Sequence, residues 1–445
     1  MRIFITTLSI IIAVILPTKG QNINSESYAE WWRICNDSTL NTLIDCALAN
    51  NYDIIGATNN ILLAKSNLRA SQSGFYPSIS LSGGYIMEKT SQGITDVDKR
   101  DQIGEVTLNA TWEVDLFGSI RREVQSKRAI FIASEYQKYG VMVSLCGQIA
   151  EEYAKLRASQ QKLAIARQNL ESQRAITTLT EEKFSNGLVT ALDAAQAKSL
   201  MLQTEASIPS LEYAVAAQIN TLITLTGEAS PTFREMLETE KPLAMPPLIL
   251  YNGVDGNAIR KRPDIMVAES QLESLIKAAG AAKANYWPKF LVTAQFGYGS
   301  HQFSHFTDYE NMVWQVEPAI KWNIFSGGEV AQAKRAALIQ IDEGINTLNQ
   351  KIRNALQDLE NSLNDMRAAQ EQLMAIDAAL SQIEYTYRLA QQLYNDGLTD
   401  YQNVMTSQQS LLSAEENRTN ALLALWQATA SLYTATGGGW ELIVE

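Results

Sequence analysis

Val106-Thr107-Leu108-Asn109-Ala110-Thr111-Trp112-Glu113-Val114-Asp115-Leu116 alternates apolar and polar residues without a break. Successive side chains of an extended strand point to opposite faces. Val106, Leu108, Ala110, Trp112, Val114 and Leu116 therefore form an apolar face, and Thr107, Asn109, Thr111, Glu113 and Asp115 a polar one. Upstream, Ile79, Leu81, Tyr85 and Met87 alternate with Ser80, Ser82 and Gly84. The pattern recurs with Phe290, Val292, Ala294, Phe296 and Tyr298, then with Trp314, Val316, Ile320, Trp322 and Ile324 against Gln315, Glu317, Lys321 and Asn323. Strands are expected over residues 77–88, 105–117, 288–300 and 312–325, each near the length of about ten residues that crosses a bilayer at a tilt. Tyr76, Trp112, Phe117, Trp287, Trp322 and Phe325 gather toward the strand ends, as an interfacial girdle requires. A soluble four-stranded sheet packed on helices competes with this reading. The polar face, with Glu113, Asp115, Glu317 and Lys321, favours a watery lumen.

The strand pairs belong to two copies of one pattern, offset by about 210 residues. Asn51-Tyr52-Asp53 returns as Arg262-Pro263-Asp264, Tyr76-Pro77 as Trp287-Pro288, Trp112 as Trp322, and Phe184 with Gly187 as Tyr394 with Gly397. Four strands leave two open edges, whose N–H and C=O groups find no water in lipid. Several chains must therefore close the barrel. Two give eight strands and a filled interior; three give twelve and room for a channel, so a homotrimer is expected.

No Pro interrupts Ser119 to Ser185 or Glu329 to Asn395. Both stretches are rich in Ala, Gln, Glu, Leu and Arg, and one helix of that length spans about 100 Å. Met142, Ile149, Leu156, Leu163, Leu170, Thr177 and Phe184 recur with a heptad period, as do Ile352, Leu359, Met366, Leu373, Leu380, Tyr387 and Tyr394. That period predicts coiled-coil packing, and small neighbours such as Ala355, Ser362 and Ala369 permit close approach. Each long helix stops at a turn, Ser185-Asn186-Gly187 or Asn395-Asp396-Gly397, where Gly supplies a left-handed cap. Return helices are expected over Ala191 to Leu225 and Tyr401 to Ala435, with Pro209 kinking or interrupting the first. Shorter helices are expected over Leu40 to Ser73 and Asp255 to Ala284. The plan is a first repeat over 21–227, a connection over 228–253 with Pro231, Pro242, Pro246 and Pro247, and a second repeat over 254–445.

Residues 1–20 read as a cleavable secretory signal: Arg2, an apolar run from Ile3 to Leu16, and a small-residue exit at Thr18-Lys19-Gly20. The run is too short, and too interrupted by Thr6, Thr7 and Ser9, to span a bilayer. The first Cys, Cys35, lies too far on to accept a lipid, so no amino-terminal lipidation is expected. Cys35 and Cys46 either pair or remain small buried thiols. No later stretch reaches about 18 apolar residues, which leaves a periplasmic, secreted or outer-membrane β-barrel protein. The formal net charge of −12 becomes about −14 without Arg2 and Lys19. That balance disfavours nucleic acid and suits cations in a channel, while solvated helix faces account for it equally.

These residues resemble the outer-membrane efflux protein family, the TolC-like outer membrane factors, over essentially the whole mature chain. The resemblance rests first on Trp31-Trp32 before Leu40 to Asp53, and on Lys261-Arg262-Pro263-Asp264-Ile265 with Ala268-Glu269 and Leu272. It rests also on Gly280-Ala281-Ala282 before Trp287-Pro288, on Gly187-Leu188-Val189-Thr190-Ala191-Leu192-Asp193, and on Leu432-Tyr433 with Gly437-Gly438-Gly439-Trp440. The Arg-Pro-Asp-Ile run and the tail look like the branch that serves resistance-nodulation-division pumps.

The resemblance implies an α+β membrane protein: a homotrimer with a 12-stranded outer-membrane β-barrel, four strands per chain, continuous with a long periplasmic α-helical barrel. It implies the outer membrane of a Gram-negative bacterium and contact with outer-membrane lipid. It also implies two partners, a periplasmic adaptor protein and an inner-membrane resistance-nodulation-division type transporter. The expected role is a passive exit duct for small molecules that the pump expels. By the same resemblance the turns form the periplasmic tip, with Lys183, Phe184, Asn186, Gly187, Tyr394, Asn395, Asp396 and Gly397 facing the adaptor. The pore constriction would fall near Asp400, Gln402 and Thr406, with Asp193 in the matching place of the first half. Gln402 and Thr406 depart from the apolar residue and carboxylate common in the family. Leu393 departs from the Arg common before the aromatic, while Lys183 keeps that charge in the first copy. Asp193 and Asp400 are alternatively ordinary acids at helix amino termini, favoured by the dipole.

Little suggests other chemistry. His301 and His305 lack a completing ligand cluster and read as a solvent-facing loop pair. Gly437-Gly438-Gly439 lacks the Lys-Ser/Thr pair of a phosphate loop. No nucleophile, base and orienter set can be assembled, so neither enzyme activity, cofactor nor metal is expected. Type I secretion, a stand-alone porin-like channel and a periplasmic coiled-coil structural protein remain as alternatives.

Overall fold

The computed structural model describes residues 30–89, 100–246, 259–301 and 306–438. The expected signal, His305, Gly439, Trp440 and the end of the 228–253 connection lie outside them. The first half of the chain contains α1 (Ser38–Asn50), α2 (Tyr52–Gln72), β1 (Ser78–Lys89), β2 (Arg100–Val114), α3 (Ser119–Ser185) and α4 (Ala191–Thr226). There follow α5 (Pro231–Glu238), α6 (Pro263–Ala284), β3 (Lys289–Ser300), β4 (Met312–Lys321), α7 (Glu329–Asn395) and α8 (Tyr401–Ala435). Two compact units result. One gathers the described residues of Met1–Ala57, Gln137–Ile265 and Ile352–Glu445, the other those of Thr58–Tyr136 and Met266–Lys351.

In the second unit the four strands form one antiparallel sheet in sequence order. Register sets like beside like: Leu81, Leu108, Phe296 and Trp314 lie abreast, as do Ile79, Ala110, Ala294 and Val316. Ser80, Asn109, Gln295 and Gln315 form a row on the other face. A slip of one residue would mix the two faces. Gly297 lets β2 and β3 approach, since a Cβ there would strike the Val106 carbonyl oxygen. β2 begins earlier than its alternation suggests because it pairs with all of β1, down to Lys89 opposite Arg100. β4 ends at Lys321, opposite Lys289 at the start of β3. Trp322, Ile324 and Phe325 therefore lie past the strand, where β3 offers no further partner.

The six aromatics expected at a membrane interface gather at one end of the sheet, where β1 and β3 begin and β2 and β4 end. Two of them make the same bond in each copy. Trp112 Nε1 donates to the Phe75 carbonyl at 3.0 Å, and Trp322 Nε1 to the Tyr286 carbonyl at 3.1 Å. Phe117 stacks on Trp287 with ring centres 5.4 Å apart. Of the polar-face charges, Glu113 pairs with Lys289 at 3.1 Å. Asp115 instead lies past β2 and accepts the N–H groups of Ile120 and Arg121 at 3.2 and 2.9 Å, capping the start of α3.

α3 and α7 keep the expected bounds, 67 residues each. In the helical unit Ile149, Leu156, Leu163 and Leu170 of α3, and Leu359, Met366 and Leu373 of α7, are buried. Each such side chain contributes about 2 kcal/mol of apolar burial. The helix expected from Leu40 to Ser73 is divided by Asn51, whose backbone is extended. Asn51 Oδ1 accepts the N–H groups of Asp53 and Ile54 at 2.8 and 3.3 Å, and its Nδ2 donates to the Leu225 carbonyl at 2.8 Å. Arg262 breaks the corresponding helix of the second copy, Pro263 opening α6 as helices favour. Its Nη1 donates to the Ala435 carbonyl at 3.0 Å, so both breaks are pinned to the end of their own return helix. Arg262 also grips Asp264 at 3.0 and 2.9 Å and reaches Asp358 at 3.2 Å.

α4 runs unbroken through Pro209. Proline removes one backbone donor, but the turns on either side are tied to α3 by Arg174–Glu205 at 3.1 Å and Arg167–Glu212 at 2.9 Å. The expected connection after residue 227 holds α5, whose Phe233 and Leu237 are buried. It is bonded into the unit: Arg157 Nη1 donates to the Thr239 carbonyl at 2.7 Å, Gln160 Nε2 to that of Leu237 at 2.9 Å, and Trp426 Nε1 to that of Ala244 at 2.7 Å. Trp31 stacks on Tyr433 with centres 4.5 Å apart, and Tyr153 donates to Asp37. Cys35, Cys46 and Cys146 are free thiols, and burial pushes Cys35 and Cys146 up to about 12.

Candidate functional site

The turns after α3 and α7 have the same build. Leu188 N–H donates to the Lys183 carbonyl at 2.9 Å and Leu398 N–H to that of Leu393 at 2.8 Å. Gly187 and Gly397 supply the left-handed φ of 72° and 77° that such helix ends need. Their surroundings differ. Tyr394 is 4% exposed, whereas Phe184, its counterpart, is 46% exposed. Tyr394 packs with Ile176, Ala197, Tyr401 and Val404, and its hydroxyl lies 3.1 Å from that of Thr180. Burial, with Tyr394 and Tyr387 nearby, pushes Tyr401 up to about 12. The Lys183 ammonium lies over the Tyr394 ring and bonds its carbonyl oxygen, so the ends of α3 and α7 are held together within one chain.

The four constriction candidates do not form one set. Thr190 and Asp400 are equivalent, each three residues past its glycine, and Asp193 is equivalent to Asn403. Asp193 is held in a capping box: its Oδ2 accepts from Thr190 N–H at 2.9 Å and from the Thr190 hydroxyl at 2.8 Å, while its own N–H donates to Thr190 Oγ1 at 3.2 Å. Asp400 is the N-cap of α8, yet its side chain makes no capping bond. It is exposed, as are Gln402 and Thr406 in the first turns of α8. Around the turns Leu188 and Leu398 are each 72% exposed, an apolar rim beside Phe184. The contact of Lys183 with Tyr394 was visible in the sequence only as an unlike pair, Lys183 against Leu393. Elsewhere His301 lies 3.1 Å from the Gln102 carbonyl oxygen through Nδ1.

A sheet with one open apolar face, carried by a chain with two long helical hairpins, defines the class: an outer-membrane protein with a helical extension. The family model described as outer membrane efflux protein matches residues 43–228 and again 256–438. The chain belongs to the outer membrane efflux protein family. It is 29% identical over 325 residues to the solvent efflux pump outer membrane protein SrpC of Pseudomonas putida, covering 72% of this chain and 68% of that one. To the cation efflux system protein CusC of Escherichia coli it is 25% identical over 327 residues, covering 74% and 70%. The outer-membrane channel OprN superposes with a TM-score of 0.86 at 26% identity, over 96% of this chain and 99% of that one. VceC, an outer membrane protein of Vibrio cholerae, shares the fold at a TM-score of 0.82 and 24% identity, over 93% and 99%.

Proposed function

We propose that three copies of this chain close a twelve-stranded barrel in the outer membrane above a periplasmic helical barrel, forming the exit duct of a tripartite efflux system. One observation carries the reading. β1 and β4 each have a single neighbour, and the apolar face between them is open, with Leu81 73% and Trp314 67% exposed. Lipid covers such a face, but it does not tolerate such edges, which only another copy can pair. Small molecules expelled by an inner-membrane transporter of the resistance-nodulation-division type enter through a periplasmic adaptor, and the duct itself consumes no energy. The adaptor docks on the rim of Phe184, Leu188 and Leu398, and the pore narrows at Asp400, Gln402 and Thr406. SrpC and CusC are named for different cargo, solvent and cations, which supports a duct whose selectivity lies in the pump. The test is sequential extraction of cell envelopes with carbonate and then detergent. Release by detergent alone, at the mass of three chains, is expected. Release by carbonate, or a mass of one chain, overturns the reading.

A further inference from the structure

The helix ends that adjoin the sheet carry a charge opposite to that of the chain. In the ten residues nearest the sheet, α3 has Arg121, Arg122, Lys127 and Arg128 against Glu123, and α7 has Lys334 and Arg335 against Glu329. α2 adds Lys65 and Arg69 and α6 adds Lys277 and Lys283, with no carboxylate in the last ten residues of either. Ten cations thus stand against two carboxylates in a chain of net charge −12. All lie within about 15 Å of the sheet along their helix axes. The turns that join these helices to the sheet add one charge, Asp115, which is committed to the N–H groups of Ile120 and Arg121.

The cations are also sorted by face. Arg121 and Arg128 are the third and tenth residues of α3, and Lys334 and Arg335 the sixth and seventh of α7. Counted from the start of two helices of equal length, these are positions i, i+3, i+4 and i+7, which share one helix face. Glu123 and Glu329, fifth and first by the same count, fall about 180° away. Arg121, Arg128 and Arg335 are exposed, and Leu338, on the same face of α7, is 50% exposed. Among the described residues none of the four cations makes an ion pair. Identical copies bring the same excess, so assembly concentrates this positive charge and leaves it for an outside anion to neutralise.

We propose that this face binds anionic phospholipid headgroups, of the phosphatidylglycerol type, in the membrane leaflet that faces the periplasm. The adjoining end of the sheet carries Trp112, Trp287 and Trp322, and tryptophan settles at headgroup level. The cations follow within three helical turns. Long basic side chains lay their apolar stems toward the bilayer, beside Leu338 on α7, while their charged ends bond headgroup phosphate. Basic residues clustered beside a membrane recruit anionic lipid in this way. The inference rests on the duct reading, which sets this end of the sheet at the periplasmic boundary of the membrane.

The experiment uses the full-length protein purified in detergent and reconstituted into phosphatidylcholine vesicles that contain brominated phosphatidylglycerol, with brominated phosphatidylcholine as reference. Tryptophan quenching by the bromines gives the relative affinity of the two lipids. A preference of about tenfold for phosphatidylglycerol is expected in low salt. Arg121→Gln with Arg128→Gln should cut that preference severalfold, whereas Arg353→Gln with Arg367→Gln, farther along α7, should leave it intact. Equal affinity for the two lipids, an undiminished preference in the first pair, or an equal loss in both pairs overturns the proposal. Displacement of the lipid by soluble glycerol phosphate also overturns it, by making the face a site for free anions. Protein that enters vesicles of neither composition defeats the duct reading and this inference with it; protein that enters both without preference defeats this inference alone.

Discussion

The ammonium nitrogen of Lys183 lies 4.1 Å from the centre of the Tyr394 ring and donates a 2.9 Å hydrogen bond to the Tyr394 carbonyl oxygen. A single side chain thus meets both the π face and the backbone of one residue on the neighbouring hairpin. The reciprocal pair, Leu393 and Phe184, offers no charge, and Phe184 stays largely exposed.

Lys183→Met keeps the stem and removes the charge. Losing a cation–π contact and a charged hydrogen bond should loosen the turn by about 1–2 kcal/mol. Resting conductance in planar bilayers is expected to rise, and wild-type conductance in the variant would show that the contact does not restrain the pore.

The two aspartates separate by substitution. Asp193→Ala breaks the capping box and should cost about 1 kcal/mol in thermal stability, with little change in leak. Asp400→Ala breaks no capping bond, so stability should hold while leak conductance rises. Equal behaviour of the two variants would contradict the assignment.

Arg262→Ala removes the cation that Asp264 and Asp358 share and frees the Ala435 carbonyl, a loss of about 2–3 kcal/mol. Asn51→Ala removes only neutral bonds and should cost about 1–2 kcal/mol. Denaturant titration of the purified protein ranks them, and Asn51→Ala proving the more damaging would refute the argument.

Alkaline pH should weaken the helical unit. Tyr401 is raised from 10.0 to about 12, so the folded state keeps its proton longer. The resulting stability is fully present below pH 10 and disappears as pH rises through 12. Cys35 and Cys146, raised from 9.0 to about 12, start the decline near pH 9. Melting midpoints should fall from pH 9 upward, and Tyr401→Phe should flatten the portion above pH 10. An identical slope in that variant removes Tyr401 from the account.

Much of this architecture is legible in local pattern. Alternation from Val106 to Leu116 shows a strand with two unlike faces, and uninterrupted heptads set the bounds of α3 and α7. Features that depend on distant partners are not legible. Asn51 reads as an ordinary helical residue until the Leu225 carbonyl draws its amide aside. The Pro-rich composition after residue 227 obscured α5, although Phe233 and Leu237 already had helical spacing. Asp193 was expected in the place matching Asp400, although it lies six residues past Gly187 and Asp400 only three past Gly397; only coordinates show that one carboxylate is committed to a cap. Pro209 reads locally as a kink, and the ion pairs on either side of it are invisible in local sequence because they span two helices.

The pins at Asn51 and Arg262 also bear on how the helical unit answers its solvent. Each fastens a break to the return helix of its own half of the chain. One joint is a neutral amide and the other a cation gripping two carboxylates, so dissolved ions screen the second and leave the first untouched.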